Sequence, residues 1–147
     1  MWLFRQYKLL VSQVYDLADS QTAKDFLLNH VLKEFPFKIN QIQVDGGSEF
    51  MAHFEQVCKY NNISLFVFTP ISPKLNGGVE RINRIIQEEY YLQYYNSLKP
   101  NIDSLRKFVK YSQNQYNYFR IHRHLNINNR LFSPMKCFYL SKTAKCI

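Results

Sequence analysis

Ile39-Asn40-Gln41-Ile42-Gln43-Val44-Asp45-Gly46-Gly47 decides the fold class. Ile42 and Val44 alternate with polar neighbours as strand residues do, and the Gly46-Gly47 pair stops the run. Beyond it Phe50, Phe54, Val57 and Cys58 recur at helical spacing, and Asn61-Asn62 closes that helix. Ile63–Phe68 is a second short strand. Strand, helix, strand is an α/β pattern, and active groups in such sheets tend to lie at the carboxyl ends of strands. Asp45 holds that position, although an aspartate before Gly-Gly is also an ordinary turn former.

The pattern extends in both directions. Leu9–Tyr15 reads as an opening strand, within fifteen residues that contain no Asp or Glu. Ser20 suits the N-cap of a helix whose stripe is Ala23, Phe26, Leu27, His30 and Val31, ended by Pro36. Thr69–Gly78 carries two prolines and two glycines and is a loop. A helix from Val79 to about Tyr95 shows Val79, Ile82, Ile86 and Tyr90 on one face, and Lys99-Pro100 breaks it. Glu88 and Glu89 read as solvated residues of that helix. Another helix runs from about Asp103 to Tyr118 with Leu105, Phe108, Val109, Ser112 and Tyr116. The rest reads as irregular, with a last helix after Ser133-Pro134.

At 147 residues, with 46% hydrophobic and 20% charged side chains, the chain can build one core and is no disordered polymer. No apolar run is long enough to span a membrane, and no signal peptide is expected at the amino terminus. Cys58, Cys137 and Cys146 form no metal or disulfide framework, which points to a reducing, cytoplasmic setting. Charge is segregated. Residues 1–103 hold 10 basic and 11 acidic side chains, whereas residues 104–147 hold 9 basic and none acidic. Such a surplus is either a solvated face or a surface for a polyanion, which gains affinity by releasing counterions.

Glu80 is the second candidate acid, in the first turn of its helix, where the macrodipole favours a carboxylate in any case. Glu80, Arg84, Gln87 and Tyr91 share one stripe, with Arg81 adjacent, so one helix edge pairs an acid with guanidiniums. Such an edge could hold a metal and grip a phosphate.

Three segments resemble one family. Val44-Asp45-Gly46-Gly47-Ser48-Glu49-Phe50 resembles the second-aspartate motif of the integrase catalytic core shared by retroviral integrases and bacterial insertion-sequence DDE transposases. Ser72-Pro73-Lys74-Leu75-Asn76-Gly77-Gly78-Val79-Glu80-Arg81 is similar to that family's loop and glutamate motif, and 34 residues separate Asp45 from Glu80, near its usual spacing. Tyr116-Asn117-Tyr118-Phe119-Arg120-Ile121-His122 resembles the YN-x-x-R-x-H signature of transposase cores, and Leu125 and Ser133-Pro134 fit the residues found downstream of that signature.

The resemblance implies an RNase H-like core, a mixed sheet flanked by helices, over residues 1–140 with a tail at 141–147. It implies DNA cleavage and strand transfer with Mg²⁺ or Mn²⁺, because a pair of ions held by clustered carboxylates neutralises the attacking and leaving oxygens. Asp45 and Glu80 would be catalytic metal ligands, while Lys74, Asn76, Arg81, Arg84, Arg120 and His122 would contact DNA. Element ends and target DNA are the implied partners, with self-association into a homo-oligomer and a cytoplasmic or nucleoid location. The family uses a third carboxylate on the opening strand, where residues 1–15 have none; Asp16 and Asp19 are the earliest acids. The expectation is therefore a core lacking its first strand or strands, with impaired catalysis. A non-enzymatic DNA-binding protein, an unstable remnant and an RNA-directed nuclease of the same superfold remain alternatives.

Overall fold

The computed structural model describes residues 2–4, 7–67, 80–92 and 101–143, with side chains described from residue 7 to 142 within those ranges. Its elements are β1 (Trp2–Phe4), β2 (Leu9–Val11), α1 (Ser20–Phe26), β3 (Gln41–Val44), α2 (His53–Tyr60), β4 (Ser64–Val67), α3 (80–92), α4 (Ile102–Asn114), β5 (His122–Ile127), β6 (Arg130–Phe132) and α5 (Pro134–Thr143). Three helices contain π-helical turns: α1 runs on through Leu27–Val31 into Leu32–Glu34, α3 holds one at Ile86–Tyr91, and α4 continues through Gln115–Phe119.

The strands pair two by two. β1 and β2 are antiparallel, β3 and β4 parallel, β5 and β6 antiparallel. Among the described residues no ladder joins these pairs into one sheet. The alternation read in β3 holds, with Ile42 and Val44 buried and Gln41 and Gln43 exposed.

β2 organises the packing. Leu9 and Val11 enter the main core with Phe26, Leu27, Val31, Val44 and Phe54, while Leu10 enters a second cluster with Ile82 and Tyr116. Side chains alternate across a strand, so a strand buried on both faces reads as an unbroken apolar run. Fully burying each of these three side chains contributes about 1.5–3 kcal/mol. Beside this strand α4 supplies amides where a neighbouring strand would supply peptide groups. The Leu10 N–H donates to Asn117 Oδ1 at 2.9 Å and Asn117 Nδ2 donates to the Leu10 carbonyl at 2.7 Å. One turn earlier, Gln113 Oε1 accepts from the Ser12 N–H at 2.7 Å, and its Nε2 donates to Glu34 at 2.6 Å.

Several boundaries differ from the sequence reading. The opening strand ends at Val11 rather than Tyr15, and a second strand, Trp2–Phe4, precedes it. Asp19, not Ser20, caps α1: its carboxylate accepts from the Thr22 N–H while the Thr22 hydroxyl accepts from the Asp19 N–H. Either residue type suits an N-cap, and the reciprocal bond to Thr22 decides between them. The stretch read as irregular holds the β5–β6 hairpin, turned at Asn128 and Asn129 with φ of 51° and 61°. Two left-handed residues in a row suit a strand-matching turn, and asparagine tolerates them best after glycine. The last helix continues across residue 140 to Thr143, and its Met135 and Phe138 join the main core. No described helix is long and apolar enough to cross a membrane.

Replacing Asn117 by alanine strips partners from both the N–H and the carbonyl of buried Leu10. At about 1–3 kcal/mol per unsatisfied buried group, Asn117→Ala is expected to lower unfolding free energy by about 2–5 kcal/mol in urea. Asn114→Ala, at an exposed position of the same helix, should change it by less than about 0.5 kcal/mol. Equal effects at the two positions would show that the amide bonds do not hold β2.

Candidate nucleic-acid and metal site

Asp45 follows the last residue of β3 and is exposed. Its Oδ1 accepts from the Gly47 N–H at 3.4 Å, a long turn bond that leaves most of the carboxylate uncommitted. Gly47 has a steric reason of its own. A Cβ there would meet the Glu49 carboxylate at 2.5–2.7 Å, so the glycine lets Glu49 fold back over the turn.

Glu80 is the first described residue of α3 and is exposed, as are Arg81 and Arg84, while Ile82 is buried. Ile82, Ile85 and Ile86 set this helix on Leu10 and Tyr116. The π-helical turn at Ile86–Tyr91 then alters the phase, because it takes more residues per turn than an α-helix. Tyr91, read as sharing a stripe with Glu80, meets the Phe108 ring edge-on at 6.2 Å, and Glu89 is brought to Arg120. Lys74 and Asn76 lie outside the described residues.

The YN-x-x-R-x-H segment works as a knot between elements. Tyr116 is buried against Leu10 and Ile82, and Asn117 holds the Leu10 backbone. Arg120 closes a two-pronged pair with Glu89, Nε to Oε2 at 2.7 Å and Nη2 to Oε1 at 2.6 Å. This ties the end of α4 to the helix that carries Glu80. The pair holds the Glu89 carboxyl below its ordinary range, chiefly through the Arg120 hydrogen bonds. His122 packs edge-on to Tyr116 at 4.8 Å, and its Nε2 is buried without a hydrogen-bond partner among the described residues. Burial first, and then the Arg120 charge, push its imidazole down to about 4. The sequence reading took Glu89 as solvated; its link to Arg120 spans 31 residues, and no local spacing discloses it.

All eleven carboxylate side chains of the sequence fall among the described residues. No three of the described His, Cys, Asp or Glu side chains converge to hold an ion. Asp19 is engaged in its cap, and Asp16 is exposed beside it. The residues present therefore do not form the clustered-carboxylate site that a pair of Mg²⁺ or Mn²⁺ ions needs.

The burial of His122 predicts a fold sensitive to mild acid. Its folded pKa lies below the ordinary value of 6.5, so the unfolded chain binds the proton more readily. Its contribution is fully present above pH 6.5 and is lost as the pH falls through that value toward 4. Urea midpoints should decline over this window in the natural chain, and His122→Phe should flatten the upper part, before carboxylates titrate. An unchanged slope in the variant would place the acid sensitivity elsewhere.

Residues 61–128 match the family described as Integrase core domain. No curated protein matches the chain. Among solved structures, the catalytic core domain of BIV integrase aligns with a TM-score of 0.74 at 18% identity, covering 99% of this chain and 87% of that one. A chain of the simian T-cell lymphotropic virus intasome, solved in complex with the PP2A regulatory subunit B56 gamma, aligns with a TM-score of 0.72 at 18% identity, covering 84% of this chain and 43% of that one. At such identities the structural likeness carries the fold, RNase H-like as expected, while the family match carries the motifs from Asn61 to Asn128. The chain thus has the fold of retroviral integrase catalytic cores, and its residues 61–128 are similar to the Integrase core domain family.

Proposed function

We propose that this chain acts as a DNA-binding integrase core of a mobile element, related to metal-dependent strand transferases, and that these 147 residues do not by themselves carry out strand transfer. The observation that carries the second half is the carboxylate inventory. Every Asp and Glu of these 147 residues is accounted for, none lies in residues 1–15, and Asp19 is held by its cap. Asp45 and Glu80 alone supply too few oxygens to bridge two ions, and strand transfer without that bridge loses the main stabilisation of its transition state.

The basic surface supports the first half. Arg81 and Arg84 are exposed beside Glu80, and residues 104–147 hold nine cations and no acid, of which Arg106, Lys110 and Arg120 are paired with Asp103, Glu34 and Glu89. Phosphates are the natural counter-charge for guanidiniums so displayed. Lys74 and Asn76 are proposed to extend this contact from the preceding loop. Arg120 and His122, which the resemblance assigns to DNA, are proposed to act from within the knot, by fixing α3 under Glu80. A cytoplasmic or nucleoid location and assembly of several copies on one DNA are part of this reading.

Two measurements test it. In fluorescence anisotropy with duplex DNA, Arg84→Ala should weaken binding and reduce the slope of log affinity against log salt by about one, as one lost phosphate contact does. An unchanged slope removes Arg84 from the interface. In a plasmid-nicking assay with Mg²⁺ or Mn²⁺, the natural chain should match the Asp45→Asn variant. Metal-dependent nicking that Asp45→Asn abolishes would overturn the proposed deficiency and restore the enzyme reading.

A further inference from the structure

The β5–β6 hairpin and the residues leading into it form a shallow groove of about 560 Å³, lined by Tyr118, Phe119, Ile121, Arg130, Leu131 and Lys136 among its residues. Four of these are apolar or aromatic and open to solvent: Phe119 is 69% exposed, Ile121 59%, Tyr118 52% and Leu131 44%. Single exposed apolar side chains are ordinary, but several lining one groove mark an interaction surface. Cations share it. Arg130 and Lys136 are both exposed, and Lys136 Nζ stands 5.6 Å from the centre of the Phe132 ring. The groove has no carboxylate, and no Asp or Glu follows Asp103 in the sequence.

Charge and shape choose the occupant. A second copy docked groove to groove would set like charge against like charge, since the whole positive excess lies in this third of the chain. A duplex supplies phosphates, yet keeps its base faces stacked away from protein rings. A single strand supplies phosphates for Arg130 and Lys136 together with free base faces for Phe119 and Tyr118. Aromatic platforms beside cations are the common means of holding such a strand. We propose that the β5–β6 groove binds single-stranded DNA, as a surface separate from the duplex contacts around Arg81 and Arg84. This rests on the reading of the chain as a DNA-binding core and assigns it a second, strand-selective surface.

The test uses the full chain with three probes: fluorescein-labelled oligo-dT, a duplex of equal length, and long-chain polyphosphate, which has charge but no bases. Phe119→Ala should weaken oligo-dT binding by roughly five- to a hundredfold, the range for losing one stacked base, and leave duplex and polyphosphate binding unchanged. Arg130→Gln should weaken oligo-dT binding and lower its salt slope by about 0.7, as one single-strand phosphate contact does. Circular dichroism checks that both variants fold; because both side chains are exposed, folding should be preserved. If Phe119→Ala leaves oligo-dT affinity unchanged while the duplex still binds, the groove proposal fails and the DNA-binding reading stands. If neither DNA binds the natural chain, both fail. If Phe119→Ala weakens polyphosphate as much as oligo-dT, or only lowers the sedimentation coefficient of a self-associated chain, base stacking is excluded and the proposal is overturned.

Discussion

The two hydrogen bonds between Asn117 and the backbone of Leu10 join the halves of this molecule. They lie in a buried region, where an unpaired peptide group is expensive and a paired one is correspondingly firm. Through them the short strand Leu9–Val11 is fixed to the end of α4, so that Leu9 and Val11 reach one core and Leu10 the other. The second core is what α3 rests on, through Ile82. From a single amide, a path of packed and bonded groups leads to the helix that presents Glu80.

Arg120 and Glu89 complete that path. Their pair is partly exposed, with side-chain exposures of 25% and 43%, and an exposed pair contributes little stability of its own. Its value is geometric, since a forked guanidinium accepts a carboxylate in one orientation only. The YN-x-x-R-x-H segment thus reads as a set of positioning groups: a ring for packing, an amide for the strand edge, a guanidinium for the neighbouring helix and an imidazole closing over the ring.

Charge is distributed by a different logic from packing. Acids cluster in the first two thirds, where Asp19 caps a helix, Glu34 receives Lys110 and Gln113, and Glu89 receives Arg120. Several carboxylates are thereby engaged in structure, while Asp45 and Glu80 are exposed. The last third has cations and exposed rings with no acid of its own.

Much was legible in the residues. Period-two alternation exposes β3, helical spacing exposes α1, α2 and α4, and the order of motifs implies an integrase core because their types and separations are local properties of the chain. The hairpin at 122–132 was not recovered, since its turn is Asn128-Asn129 rather than a glycine pair. The partner of Arg120 was not recoverable from spacing either, because the two residues lie 31 apart in sequence and on different helices. By itself the sequence determined the α/β pattern, the carboxylate deficit and the segregation of charge, all of which follow from residue type and order. Only the tertiary structure decided that Asn117 would replace a strand edge, that Glu89 would hold Arg120 and that Phe119 would stand open beside Arg130, because those outcomes depend on which surfaces meet between elements distant in the chain, 107 residues apart for Asn117 and Leu10 and 31 for Glu89 and Arg120.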